Sequence, residues 1–271
     1  MRFNGGEPLS WSRLERILSG RPGPAPVPVE HTGTPAGLVY APGDAGAGSS
    51  ASPQHPASPA SAPARSSATP FAELHAVSSY SFLGGASEPE AMVARAAELG
   101  MTALALTDRD GFYGAVKFAE AAGAAGLATV FGAELSLDDG PQQRILPVLA
   151  RGPEGYKRLS HLMADAHMAT REKDAVAYPP LELIAERLGD TCVVLAGWQW
   201  VDEFEHLIDC FGELNIVREY EVAMLPEDVD RHAALDRFVQ IPAIVTAAPA
   251  AATRNQARLA AAKRALARRE A

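Results

Sequence analysis

FAELHAVSSYSFLGGAS, residues 71–87, is the segment from which the fold of this chain is inferred first. It opens with an apolar run typical of a buried strand, and His75 lies at the C-terminal end of that strand. A polar turn containing Tyr80 and Ser81 follows. Polar side chains placed directly after a parallel strand are typical of α/β barrels, which present their chemistry at the C-terminal ends of the strands.

Two later segments repeat this arrangement. TALALTDRDGFYGAVKF (102–118) ends a strand on Asp108, and ATVFGAEL (128–135) ends another near Glu134. Carboxylates and imidazole are ligands for divalent cations. We therefore expect His75, Asp108 and Glu134 to mark a candidate metal site, with local structural hydrogen bonding as the alternative for each of them.

The same segments, with NGGEPLSWSRLERILSG (4–20), resemble the N-terminal PHP (polymerase and histidinol phosphatase) domain of bacterial error-prone DNA polymerases. The resemblance runs to near the last residue, with a break at 21–70. It implies a distorted (βα)7 barrel beside the other domains of a DNA-directed DNA polymerase, a nucleotidyltransferase of DNA replication and of repair after DNA damage. A full barrel leaves no room for a polymerase domain in this chain.

The chain departs from the metal-binding motifs of that family. The first motif typically reads His-x-His, and here Val77 replaces its second histidine. The second typically reads Thr-Asp-His, and here Arg109 stands in the last place; an arginine is always protonated and offers no lone pair to a metal. A position usually held by cysteine is Trp198, and the segment 245–253, which often carries Asp-x-His, has no metal-binding side chain.

The resemblance therefore implies a vestigial cleft that retains His75, Asp108 and Glu134, with no catalytic residue. It implies no cofactor, or at most one weakly bound divalent ion (Mn²⁺, Zn²⁺ or Mg²⁺). We expect the guanidinium of Arg109 to fill the vacated site by pairing with Asp108 or Glu134, because an arginine–carboxylate pair satisfies both charges without a metal.

Tyr80 and Ser81 form a turn that could bind phosphate or, equally, pack and cap the local backbone. Cys192 and Cys210 make no disulfide framework, and we expect both to be free thiols in the core. The net charge of −9 argues against a stand-alone nucleic-acid binder. DNA contact is expected only through the full polymerase.

Composition divides the chain into three parts. Residues 1–20 predict a short amphipathic helix that docks on the domain or, alternatively, binds a partner. Residues 21–70 are rich in Pro, Ala, Gly and Ser and predict a disordered linker. Residues 71–271 predict the PHP domain. No apolar run is long enough to span a membrane, and no signal core is seen, so we expect a cytoplasmic protein without membrane contact.

Seven strands alternate with helices in the predicted domain, which argues for a parallel sheet with helices outside. Alternation alone does not separate a barrel from an open doubly wound sheet. Ser87 is expected to cap the first of these helices, in a capping box with Glu90. The predicted strands are 71–77, 102–107, 127–135, 144–150, 191–197, 214–222 and 241–247.

Three functions remain open. The first is a non-catalytic PHP module of an error-prone polymerase, and it is the one we favour. The second is a metal-dependent phosphoesterase, such as a 3′–5′ exonuclease, which would need the missing ligands to position and activate water. The third is a free-standing module that binds a partner from the damage-tolerance machinery.

Overall fold

The computed structural model describes residues 69–139, 142–170 and 175–268. The predicted N-terminal helix (1–20) lies outside these residues, as does nearly all of the predicted linker (21–70). Within the described part, no helix is both long and apolar enough to cross a membrane.

Seven strands and seven α-helices make up the described part of the chain. The strands are β1 (Ala72–Ala76), β2 (Ala103–Leu106), β3 (Ala128–Asp139), β4 (Gln142–Ala150), β5 (Cys192–Ala196), β6 (Ile216–Glu221) and β7 (Ala243–Thr246). The helices are α1 (Pro89–Glu98), α2 (Ala115–Ala125), α3 (Gly152–Met168), α4 (Leu181–Leu188), α5 (Phe204–Phe211), α6 (Asp228–Leu235) and α7 (Arg254–Arg268).

The strands form one seven-stranded sheet in sequence order, from β1 to β7, which curves into a nearly closed barrel. β1, β2 and β3 are mutually parallel, and so are β5, β6 and β7. β4 runs antiparallel to both of its neighbours, so the expectation of an all-parallel sheet was wrong. Only two residues separate β3 from β4, and so short a connection makes a hairpin, whereas a parallel crossover needs a dozen or more residues.

Hydrogen bonds join the two ends of the sheet. The N–H of Val77, just after β1, donates to the carbonyl oxygen of Pro249 at 3.0 Å. The N–H of Ala247, just after β7, donates to the Glu73 carboxylate on β1 at 2.8 Å. These bonds hold the C-terminal ends of β1 and β7 together, and the mouth of the barrel is built around them.

The helices pack their apolar stripes against the outside of the sheet. The larger core cluster lies among β3–β6 and the helices α3–α6, and its aromatic centre is the stacked pair Phe204 and Phe238, with ring centroids 4.2 Å apart. Cys192 is buried in this core as expected, but Cys210 is only half-buried, on the flank of α5. Neither cysteine is in a disulfide.

Ser87 does not cap α1, contrary to the sequence-based expectation. The helix begins at Pro89, and no side chain caps its N-terminus. The Ser87 hydroxyl instead donates to Gln256 at 2.8 Å and accepts the N–H of Ala252 at 2.7 Å. This buried hydroxyl is therefore used to anchor the start of the last helix, which sequence spacing cannot reveal.

Two helical glycines provide a matched test of this packing. A Cβ on Gly155 of α3 would lie 2.1 Å from the backbone oxygen of Thr191, whereas a Cβ on Gly123 of α2 would meet nothing within 4 Å. Gly155→Ala should therefore lower the free energy of unfolding by about 1–3 kcal/mol through overpacking. Gly123→Ala should raise it by about 0.5–1 kcal/mol, because alanine favours the helix. Urea denaturation measures both, and equal effects would contradict the close approach.

Candidate functional site

A buried histidine lies between two glutamates at the mouth of the barrel. The Nδ1 of His75 is 2.7 Å from Glu219 Oε1, and its Nε2 is 3.0 Å from Glu134 Oε1. All three side chains are less than a tenth exposed. Because the two carboxylates lie on opposite edges of the imidazole ring, the group joins β1, β3 and β6 in one line.

The environment favours the charged forms of this group. Burial by itself would lower the pKa of His75, but the charge of Glu219 and the hydrogen bonds to both glutamates raise it well above its ordinary value. Burial likewise would raise the pKa of Glu134, yet the hydrogen bond and charge of His75 and the charge of Arg109 lower it. The histidine is therefore an imidazolium that donates from both ring nitrogens.

Arg109 extends the line of charges. Backbone pairing continues beyond the end of β2, so that Arg109 forms a parallel bridge with Glu134 of β3. The Nε and Nη2 of Arg109 then donate to Glu134 Oε2 at 3.2 and 3.0 Å. The guanidinium pairs with Glu134 rather than Asp108, and about a third of the side chain remains exposed.

Asp108 is separate from this line. Its Oδ1 accepts the Ser78 N–H and the Ser81 hydroxyl, and its Oδ2 accepts the Ser78 hydroxyl, all within 2.9 Å. Burial raises the pKa of Asp108, and the bonds from the serines oppose that shift. The carboxylate thus holds the turn after β1 in place by accepting three short hydrogen bonds from serines.

The two residues of the candidate phosphate-binding turn lie in different surroundings. Ser81 is buried, and besides its bond to Asp108 it accepts the backbone N–H of Arg109 at 2.9 Å. Tyr80 is half-buried, with the ammonium of Lys117 at 5.6 Å from its ring centroid. The Ser81 hydroxyl is therefore engaged within the protein.

Two members of the site were missed in the sequence. Glu219 bonds His75 and also accepts the Thr246 hydroxyl at 2.6 Å. Glu73 accepts the His75 backbone N–H at 2.8 Å, besides its bond across the barrel seam. Burial raises the pKa of Glu73. For Glu73 the available signal was an acidic residue inside a short, largely apolar strand, since such a residue needs buried partners. Glu219 lies in a strand with two other charged residues, and the sequence does not single it out.

A cleft of about 580 Å³ opens above these charges. Its lining includes His75, Glu134 and Glu219, but neither Asp108 nor the Tyr80–Ser81 turn. The positions at which the resemblance implies a replaced metal ligand also line it; these are Val77, Arg109, Trp198, Ala248 and Ala250.

The residues of this cleft do not fit a multi-metal centre. Both ring nitrogens of His75 already face carboxylates on opposite sides, so the three groups do not converge on one point. The second oxygen of Glu134 is held by Arg109. Beyond these groups the lining offers one more carboxylate, that of Glu221, whereas Arg109, Arg231 and Arg264 place three cations on the same walls, and a cation repels a metal ion.

His75→Gln tests the charged line directly. The change leaves two buried carboxylates without their shared cation, so it should lower the free energy of unfolding by about 3 kcal/mol near pH 6. The pKa of His75 is higher in the folded protein than in the unfolded chain. The stability that His75 contributes is therefore complete below its unfolded-state pKa and is lost as the pH rises through its folded-state pKa. The difference between wild type and variant should therefore shrink between about pH 6.5 and the raised folded pKa.

Urea unfolding at a series of pH values measures this difference. The exposed His161 supplies the control, because His161→Gln alters only the surface of α3 and should change the free energy of unfolding little. The pKa of Glu134 is shifted in the opposite direction, downward from 4.5. The stability that Glu134 contributes is therefore lost only in acid, as the pH falls below 4.5 and through its folded-state pKa. A wild-type advantage over His75→Gln that stays constant or grows above neutral pH would contradict an imidazolium at this position.

Known proteins resemble this chain in both sequence and fold. A family model described as PHP domain matches residues 73–236. An error-prone DNA polymerase of Corynebacterium glutamicum is 49% identical over 277 residues, which cover 99% of this chain and 24% of the relative. The protein of that name from Corynebacterium efficiens is 52% identical, covering 97% of this chain and 24% of the relative. The chain thus spans about a quarter of the length of these curated relatives.

Among solved structures, a candidate metal-dependent phosphoesterase from Bifidobacterium adolescentis aligns with a TM-score of 0.52. The alignment covers 68% of this chain and 88% of that structure, at 13% identity, and so bears on the fold alone. The barrel and the match over residues 73–236 lead to the same assignment. The chain therefore belongs to the PHP domain family, in the form that these error-prone DNA polymerases carry.

Proposed function

We propose that this chain is a non-catalytic PHP module of an error-prone DNA polymerase, in which a line of protein charges takes the place of the metal centre. Its role is structural: it presents a stable barrel to the other domains of the polymerase and, through that assembly, serves damage-tolerant DNA replication and repair in the cytoplasm. DNA is bound by the whole polymerase, and other damage-tolerance proteins are further candidate partners. The module is taken as residues 71–271.

One observation carries this proposal. The guanidinium of Arg109 and the imidazolium of His75 bond the two oxygens of Glu134, and His75 also bonds Glu219. Two cations therefore compensate two buried carboxylates with no ion needed. A guanidinium supplies positive charge as a metal would, but it cannot hold a water molecule by a lone-pair bond or make it a nucleophile.

The surroundings of Asp108 support the same conclusion. In the resemblance to PHP domains, this residue belongs to the ligand set. Here three short donors from Ser78 and Ser81 occupy both of its oxygens, and it lies outside the lining of the cleft. Three of the four lone-pair sites of this carboxylate are thus used within the protein, and a metal bound through both oxygens would displace at least one of these hydrogen bonds, at about 1 kcal/mol or more.

A metal-dependent phosphoesterase is the second candidate. The observation that favours it is the cleft itself, since about 580 Å³ with His75, Glu134 and Glu219 on its wall is enough for a nucleotide-sized ligand. A single weakly bound Mn²⁺, Zn²⁺ or Mg²⁺ at this wall would have to displace Arg109 from Glu134.

A hydrolysis assay separates the two candidates. The 271-residue chain, with Mn²⁺ or Mg²⁺ added, should release 3′-terminal nucleotides from single-stranded DNA no faster than Glu134→Gln does. The same result is expected with p-nitrophenyl phosphate. The reason is that the cleft lacks the ligands to place an activated water.

Glu90→Gln is the matched control, because Glu90 is an exposed glutamate on α1. Metal-dependent hydrolysis that is lost in Glu134→Gln and kept in Glu90→Gln would overturn the proposal in favour of a phosphoesterase. Hydrolysis of equal rate in all three proteins would point to a contaminating nuclease, and repurification to constant specific activity would then decide the rate that belongs to the chain.

The native gene product gives an independent test. If the chain is a module of a polymerase, an antibody against it should detect a product several times heavier than 28.5 kDa in the cells of origin. Intact-mass analysis of the captured protein checks the length. A native product of about the computed mass would contradict the polymerase assignment and favour the free-standing partner-binding module.

A further inference from the structure

Two neighbouring helices bring three metal-ligating side chains together outside the cleft. Glu182 lies in the first turn of α4, and His206 and Cys210 lie one turn apart on α5. None of the three lines the cleft at the barrel mouth. Residues four apart on a helix share one face, so the imidazole and the thiol point to the same side of α5.

The separations of the donor atoms are somewhat longer than those around a tetrahedral ion. His206 Nε2 is 3.5 Å from Glu182 Oε1 and 3.9 Å from Cys210 Sγ. One ligand atom from each residue lies within 4.8 Å of the other two. Zinc–ligand bonds of about 2.0–2.3 Å in a tetrahedron place the ligand atoms about 3.3–3.6 Å apart. Shifts of a few tenths of an ångström to about one ångström, through side-chain rotation alone, would close the site.

The donor set selects the metal. A thiolate and an imidazole are ligands for zinc, whereas Mg²⁺ and Ca²⁺ require oxygen donors. The thiolate of Cys210 and the carboxylate of Glu182 supply two negative charges, which neutralise one Zn²⁺. On binding, the Cys210 thiol gives its proton to solvent and its sulfur bonds the metal, with no change of oxidation state.

The two helices that carry these ligands are packed firmly into the core. α4 buries Ile184 and Leu188, and α5 buries Phe204 and Leu207, in the larger core cluster. The opposite faces are open: Glu182 and His206 are exposed and Cys210 is half-buried. Metal can therefore reach the site from solvent, and three ligands leave a fourth position for water.

We propose that Glu182, His206 and Cys210 form a surface zinc site that fastens α4 to α5. This site is independent of the proposed function of the cleft. A ligand that binds only the folded state stabilises it, so the ion should raise the thermal unfolding temperature. Because both helices bury their apolar residues in the larger core cluster, the site would fix the two helices relative to each other on that core.

Cobalt(II) titration of the full, untagged chain under reducing conditions tests the proposal. Wild type should bind one Co²⁺ with the near-ultraviolet absorption band of a thiolate–cobalt bond, and Zn²⁺ should displace it. Cys210→Ser should abolish the band. His206→Gln and Glu182→Gln should each weaken binding by about 10-fold or more. Circular dichroism confirms that each variant is folded.

Three control variants define the specificity. Cys192→Ser removes the buried thiol, His161→Gln removes an exposed histidine of α3, and His75→Gln removes the histidine of the cleft; each should keep the band. A saturated wild-type titration without a thiolate band, or a band that persists in Cys210→Ser, would overturn the proposal. Binding of Co²⁺ that shows no thiolate band and is lost in His75→Gln would do the same, since it would place the metal in the cleft, whose lining has no cysteine.

Discussion

The barrel mouth depends on a buried imidazolium between two carboxylates. An ionised group in a protein interior is costly unless its charge and hydrogen bonds are satisfied. His75 meets that condition only when Glu134 of β3 and Glu219 of β6 both reach its ring. Arg109 balances the remaining charge of Glu134. The strand ends must therefore keep their registers, because a slip of one residue turns a side chain to the other face.

The need to satisfy buried charges also explains the other buried carboxylates near His75. Glu73 points to the same face of β1 as His75, two residues away, and its carboxylate binds the backbone at both ends of the sheet. Asp108, whose type and place suggest a ligand, serves instead to order the turn after β1. In the function proposed above, charged side chains compensate one another in place of a metal ion. The cleft then remains open but catalyses no reaction.

Much of the fold could be predicted because strands and helices leave local patterns. Apolar runs located all seven strands to within a few residues, but alternation by itself left open whether they form a barrel or an open sheet; the structure arranges them in chain order. The direction of β4 was missed because strands that alternate with helices favour an all-parallel sheet, whereas two residues between β3 and β4 make a hairpin. Ser87 and Cys210 were misplaced because a hydroxyl's partner, or the depth of a helix flank, depends on elements distant in sequence.

The sequence alone determined the element order, the family resemblance and the presence of Val77 and Arg109 at positions that could not bind a metal, since these are properties of residue type and local spacing. Only the tertiary structure decided which charges meet. Glu219 is 144 residues from His75, and Glu182 is 24 residues from His206 with a strand between them. Contacts of that kind follow from how the sheet curves and how helices lie side by side, which no local pattern records.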